Sequence, residues 1–159
     1  MKTLIIYATN HGSTAQASLM IQDRIGGDVT VLDVKDDPKH ELVPYEMVLV
    51  GGSIHAGGIQ RRIKKFCEVN ESELLEKRLG LFVSCMYEGD KARDQFEQAF
   101  PASLREHATA HGYFGGILDF EKMNFIERAI VKKVEGVTET VRKVDQSAID
   151  AFADTMKGD

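Results

Sequence analysis

Short unbroken apolar runs alternate along this chain with stretches in which apolar residues recur every three or four positions. The first run, Leu4-Ile5-Ile6 within Met1–Ala8, is too short for an amphipathic helix and predicts a strand buried on both faces. A polar loop follows, and Ser13 or Thr14 is placed to cap a helix that the pair Gly26-Gly27 stops. Val29, Val31 and Val34 within Asp28–Val34 give the pattern of a strand near a sheet edge. After a polar connector with two prolines, "DDPKHELVPY", the run Met47–Val50 reads as a third strand closing on Gly51-Gly52. Ile59, Ile63, Phe66 and Cys67 fall on one side of a helix reaching towards Leu75. Leu79–Val83 is a fourth strand, and Ala92, Phe96, Ala99 and Phe100 mark a helix that Pro101 ends or restarts. Tyr113–Leu118 reads as a fifth strand, and Ile149, Phe152, Ala153 and Met156 keep i, i+3, i+4, i+7 spacing in a final helix. Strands alternating with helices predict an α/β fold, a parallel sheet covered on both faces.

One segment breaks the alternation. Between the fifth strand and the last helix, Met123, Ile126, Ile130 and Val134 recur at helical spacing, beside the basic Arg128, Lys132 and Lys133. An extra helix over residues 122–135 is expected there. It either packs on the domain edge or, with Phe125 and Ala129 widening its apolar side, contacts a partner protein or a membrane surface.

Composition narrows the class. At 159 residues and 43% hydrophobic, residues 1–159 are expected to form one domain with a single core. No run approaches the roughly 18 apolar residues of a membrane span, and the N-terminus lacks the pattern of a secretory signal. Cys67 and Cys85 make no disulfide framework, so a cytoplasmic location is expected. A net charge of −5, with no continuous basic stripe, argues against nucleic acid as a partner.

The loop after the first strand carries the chemistry. "YATNHGSTAQ" gathers Thr9, Asn10, His11, Gly12, Ser13 and Thr14 with no charged side chain except the titratable histidine. At the carboxyl end of a strand and the head of a helix, free backbone N–H groups and the helix dipole already favour an anion. The hydroxyls of Thr9, Ser13 and Thr14 and the Asn10 amide add donors, and Gly12 permits close backbone approach. The absence of GxxxxGK[ST] excludes a nucleoside-triphosphate loop, and the absence of GxGxxG disfavours a dinucleotide fingerprint. A phosphate monoester held by neutral donors is one reading; a Ser/Thr-rich cap with no ligand is the other.

"TNHGST" resembles the phosphate loop of flavodoxins, T/S-x-T-G-x-T, with Thr9, Gly12 and Thr14 matching and His11 in place of the middle hydroxyl. "VLVGGSIHAGGIQRRIKKF" resembles their second flavin loop and "GLFVSCMYEGDKARDQF" their third. The G-x-S-I-x-x-G arrangement, the extra helix and "GVTETVRKVD" are similar to the subfamily containing menaquinone-dependent protoporphyrinogen oxidases. The resemblance implies a flavodoxin-like doubly wound sheet of five parallel strands, order 2-1-3-4-5, with FMN as cofactor. It implies a phosphate held by residues 9–14 and a flavin ring between Ser53, Ile54, His55, Ala56 and Gly57 on one loop and Ser84, Cys85, Met86 and Tyr87 on another. The chain has no tryptophan, so His55 and Tyr87 are the candidates for the ring faces. The resemblance also implies a role for Gly57, which bears no Cβ penalty at positive φ: turning its peptide to offer a carbonyl to a flavin N5 that has gained a proton.

Two functional classes follow: an electron carrier docking on protein redox partners, or an enzyme oxidising a substrate directly and passing electrons to a quinone. The chain is only moderately acidic, and Arg61, Arg62, Lys64 and Lys65 follow the second loop, which leans away from an acidic carrier. Protoporphyrinogen IX oxidation in haem biosynthesis is the more specific alternative. A buried, inert thiol is the expected state of Cys85, and His107 and His111 stand without ligands at metal spacing. A response-regulator-like domain would need acidic residues where the first and third strands end, at Ala8-Thr9-Asn10 and Gly51-Gly52-Ser53, and there are none.

Overall fold

The structure is a computed structural model describing residues 1–10, 12–55, 57–85, 87, 89–115, 117–118, 126, 129, 132–133, 141–142 and 144–158. In chain order its elements are β1 (Lys2–Tyr7), α1 (Ser13–Ile25), β2 (Asp28–Asp33), β3 (Met47–Ser53), α2 (Arg61–Val69), α3 (Glu71–Leu74) and β4 (Arg78–Ser84). Then follow α4 (Gly89–Ala99), α5 (Ala102–His107), β5 (Ala110–Phe114), β6 (Ile117–Leu118), β7 (Val141–Arg142) and α6 (Gln146–Lys157).

Five strands form an all-parallel sheet in the order β2-β1-β3-β4-β5, the architecture that the sequence resemblance implies. Because successive side chains point to opposite faces, each central strand feeds two cores. Leu4, Ile6, Val48, Val50, Leu81 and Val83 pack against Ile63 and Phe66 of α2 and Phe96 of α4. Ile5, Leu49 and Phe82 face the other way, onto Ala17 and Ile21 of α1 and Ile149, Phe152 and Met156 of α6. Full burial of one such side chain contributes roughly 1.5–3 kcal/mol, so the two layers fix the register of the central strands. α6 is further tied down at its C-terminal end. Arg78, at the start of β4, donates from Nε to the Met156 carbonyl at 2.8 Å and from Nη2 to that of Thr155 at 3.1 Å.

Several boundaries differ from the sequence expectation, each for a packing reason. Gly51 and Gly52 do not close β3 but lie inside it, buried. A Cβ on Gly51 would fall 2.1 Å from the Phe82 ring, so this glycine makes room rather than a turn. The helix from Ile59 begins only at Arg61 and breaks at Asn70, so Leu74 belongs to a separate short turn of helix. Pro101 does restart a helix, α5. The fifth strand lies earlier than Tyr113–Leu118. β5 spans Ala110–Phe114, and Ile117–Leu118 pairs instead, antiparallel, with Val141–Arg142. Of the extra helix, only Ile126, Ala129, Lys132 and Lys133 are described, each helical and exposed; Met123, Phe125, Arg128, Ile130 and Val134 lie outside the described residues. Among the described residues no helix is long and apolar enough to cross a membrane.

Candidate functional site

A parallel sheet brings every strand's carboxyl end to one edge. With this strand order, the chain reverses its winding direction between β1 and β3, the place where open sheets of this kind bind their ligands. The loops that leave β1, β3 and β4 are stitched together just past the strand ends. Ala8 N donates to Gly51 O at 3.1 Å, Ile54 N to Ser84 O at 2.9 Å and Cys85 N to Phe114 O at 2.9 Å. The described residues among those proposed from sequence for phosphate and ring therefore lie on segments at one sheet edge.

In the first loop, Gly12 takes φ +93 and occupies the cap position of α1, so neither Ser13 nor Thr14 caps the helix as expected. Both lie inside the first turn and are buried. Left-handed backbone at Gly12 turns the chain into the helix, and Gly12 N donates to Thr9 Oγ1 at 2.9 Å. Thr14 is fully buried, yet its Oγ1 has no hydrogen-bond partner among the described residues. A buried hydroxyl left in that state costs about 1–3 kcal/mol. Behind the loop, burial and the carboxylates of Asp33 and Asp36 push the Tyr7 phenol up.

The second loop is a tight reversal. His55 N donates to Gly58 O at 2.9 Å and Gly58 N to His55 O at 3.2 Å, with Gly57 at φ +84. Positive φ is what the corner of such a turn requires, and Gly57 is exposed with open space around it. Two residues after this turn join it to the first loop. Gln60, buried at the cap position of α2, accepts from Ser53 N at 3.1 Å through Oε1. Its Nε2 donates to Asn10 Oδ1 at 3.2 Å and also to Ser53 Oγ. Arg62 donates from Nη2 to the Thr9 carbonyl at 3.0 Å, while its buried Nε finds no partner among the described residues.

In the third loop, the buried Cys85 donates from Sγ to Gln95 Oε1 at 2.7 Å and receives the Tyr87 N–H at 3.4 Å. Tyr87 is half-buried against the core, and Lys91 Nζ lies 3.7 Å above the centre of its ring. Ser84, at the end of β4, is buried with its Oγ unpartnered among the described residues. Thr14 Oγ1, Arg62 Nε and Ser84 Oγ are all the described buried side-chain polar atoms without a partner, and every one belongs to this edge.

Of the residues singled out from sequence, Thr9, Asn10, Gly12, Ser13, Thr14, Ser53, Ile54, His55, Gly57, Ser84, Cys85 and Tyr87 lie on these three segments. His11, Ala56 and Met86 lie outside the described residues. Gln60, Gln95 and Lys91 were not expected, and Arg62 was noted only for its charge. Their contribution depends on bonds between loops, and no local pattern in the sequence announces it. Among the described residues no cluster suited to a metal ion is present.

A flavodoxin domain model matches residues 4–145 of the chain. Protoporphyrinogen IX dehydrogenase [quinone] of Leishmania major is 23% identical over 168 residues, covering 96% of this chain and 73% of that protein. Among solved structures, oxidised flavodoxin 2 from Bacillus cereus superposes with TM-score 0.60 at 18% identity, over 98% of this chain and 97% of its own. Rubredoxin oxygen:oxidoreductase of Desulfovibrio gigas gives TM-score 0.55 at 15% identity; the match covers 98% of this chain but only 36% of that longer one. At these identities the solved structures share the fold.

Proposed function

Because this chain belongs to the flavodoxin domain family, whose members are flavin-binding redox proteins, we propose that it binds FMN at the β1, β3 and β4 loops and uses it in electron transfer or flavin-dependent oxidation. FMN, when bound, supplies the two-electron and one-electron chemistry of its isoalloxazine ring. The chain's part is to hold and orient it. The observation that carries the reading is the set of buried, unpartnered groups at this edge, led by Thr14 Oγ1 in the first turn of α1. A phosphate monoester meets the demand of such a site: it offers acceptors to a helix N-terminus, to the Thr14 and Ser13 hydroxyls and to backbone N–H groups that Gly12 leaves accessible. His55 and Tyr87, both half-buried on the loops after β3 and β4, are the side chains proposed to flank the ring.

The test is direct. Purified protein incubated with FMN should quench flavin fluorescence and retain a yellow chromophore through gel filtration, with riboflavin held more weakly. A folded protein that leaves FMN fluorescence untouched would overturn the reading.

A more specific reading, a quinone-linked protoporphyrinogen IX oxidase, is favoured by the relative of that description, which aligns with 96% of the chain. Positive charge supports an enzyme over an acidic carrier: Arg61, Lys64 and Lys65 are exposed on α2, just past the second loop. Protoporphyrinogen with a quinone acceptor, assayed beside a flavodoxin reductase, separates the two. Turnover of the first supports the oxidase, and reduction only by the second supports a carrier with a protein redox partner.

A further inference from the structure

We propose that Gln60 is a positioning residue that fixes the hydrogen-bond polarity of the site, holding Asn10 and Ser53 as donors towards the bound ligand; this rests on the flavin reading above. A carboxamide has one acceptor oxygen and two N–H donors. Gln60 commits all of them: Oε1 takes the Ser53 N–H, and Nε2 donates to Asn10 Oδ1 and to Ser53 Oγ. It has no donor left for a ligand, so it acts through its neighbours.

The consequence at each neighbour is one-directional. The Asn10 oxygen is turned onto Gln60, so the exposed Asn10 side chain presents its N–H groups outward. The Ser53 oxygen accepts from Gln60, so its hydroxyl proton is left to be given elsewhere. Thr9 follows the same rule by another route, because its Oγ1 accepts from Gly12 N at 2.9 Å. Three side chains on two loops thus accept from the protein and keep a proton for a ligand rich in acceptors. Gly52 makes the seat possible, since a Cβ there would fall 2.9 Å from Gln60 Oε1 and 2.6 Å from Ile59.

Gln60→Glu tests this with almost no change of shape. The carboxylate still accepts from Ser53 N but donates nothing, so Asn10 and Ser53 must turn their protons inward. Gln60→Leu removes every bond yet imposes no polarity. FMN dissociation constants are read by fluorescence quenching, riboflavin constants in parallel, and thermal stability of the flavin-free proteins by circular dichroism. Gln60→Glu should weaken FMN by about tenfold or more, equivalent to about 1.4 kcal/mol, and by more than Gln60→Leu does. Its flavin-free stability should nevertheless equal or exceed that of Gln60→Leu. Riboflavin should weaken in Gln60→Glu as well, which phosphate repulsion alone would not produce. Wild-type affinity in Gln60→Glu, a loss confined to FMN, or affinities that simply follow stability would each overturn the proposal. Ser53→Ala leaves Gln60 in place and should weaken both flavins several-fold, with Ser53→Thr restoring them; full binding by Ser53→Ala would also overturn it. A wild-type protein that binds neither flavin would overturn the reading of the site and the proposal with it.

Discussion

Replacing Thr14 by valine separates what the first loop does for the fold from what it does for a ligand. The side chain is 0% exposed and its hydroxyl has no partner among the described residues, so the flavin-free protein carries an unmet hydrogen bond. Valine keeps the branched shape in the first turn of α1 and exchanges that hydroxyl for a methyl group. Removing a penalty of about 1–3 kcal/mol, less what the repacked methyl forfeits, should raise flavin-free stability by about 1 kcal/mol. For a chain of this length that moves the melting midpoint up by about 2–4 °C. Binding should change in the opposite sense. A hydrogen bond to a charged group contributes about 1.5–3 kcal/mol, so FMN should be held about 10- to 100-fold more weakly. Riboflavin, which has no phosphate, should be unaffected, and Thr14→Ser should behave like wild type towards FMN. Melting curves of flavin-free protein and quenching titrations with both flavins give all four numbers. If Thr14→Val melts lower than wild type and binds FMN as well, the hydroxyl belongs to the fold and the phosphate assignment fails.

Further expectations concern glycine, a helix cap and a thiol. Gly57→Ala meets no atom within 4 Å, so its cost is the left-handed backbone alone, about 1–2 kcal/mol. Gly51→Ala drives a Cβ to 2.1 Å from the Phe82 ring in the middle of the sheet and should cost more, about 3 kcal/mol; urea denaturation giving the reverse order would refute the packing account. Asp145 caps α6, its Oδ1 accepting from Ala148 N at 3.0 Å, so Asp145→Ala should lose about 0.5–2 kcal/mol near neutral pH. The Ala148 and Ser147 bonds hold its carboxyl below the usual 3.8. A depressed carboxylate stabilises the fold above its unfolded value and ceases to as pH falls through the folded one, so the gap between wild type and Asp145→Ala should close below about pH 4. Burial, with a smaller push from Glu71, raises the Cys67 thiol to about 12. It should resist iodoacetamide at pH 8 until the protein is unfolded, as peptide mass mapping would show.

The strands and helices were legible where burial alone sets the pattern. Leu4-Ile5-Ile6 and Met47–Val50 are apolar at every position because both faces of the sheet are covered, and Ile149, Phe152, Ala153 and Met156 are all buried as their spacing requires. Boundaries were less legible where a residue has two uses. A glycine pair reads as a turn, yet Gly51 and Gly52 continue a strand because Phe82 and Gln60 occupy the space their side chains would fill. Likewise Ser13 and Thr14 have the chemistry of helix caps, but Gly12 can adopt φ +93 and takes that place, which frees both hydroxyls.

That last exchange bears on why the first loop contains so many hydroxyls. A cap residue spends its oxygen on the helix; here Thr9 Oγ1 accepts the Gly12 N–H while the helix entry itself is turned by a residue with no side chain. Even close to these loops, other buried polar groups are satisfied: Ser18 donates to Thr14 O, and Gln95 accepts from the Cys85 thiol. Total stabilities of about 5–15 kcal/mol leave little room for several unmet bonds at about 1–3 kcal/mol each. Their concentration at the heads of α1 and α2 and the end of β4, beside a Gln60 that is fully bonded, is therefore directional: the protein completes its own hydrogen bonds in the scaffold around the loops and leaves incomplete those that a ligand's acceptors and charge can finish.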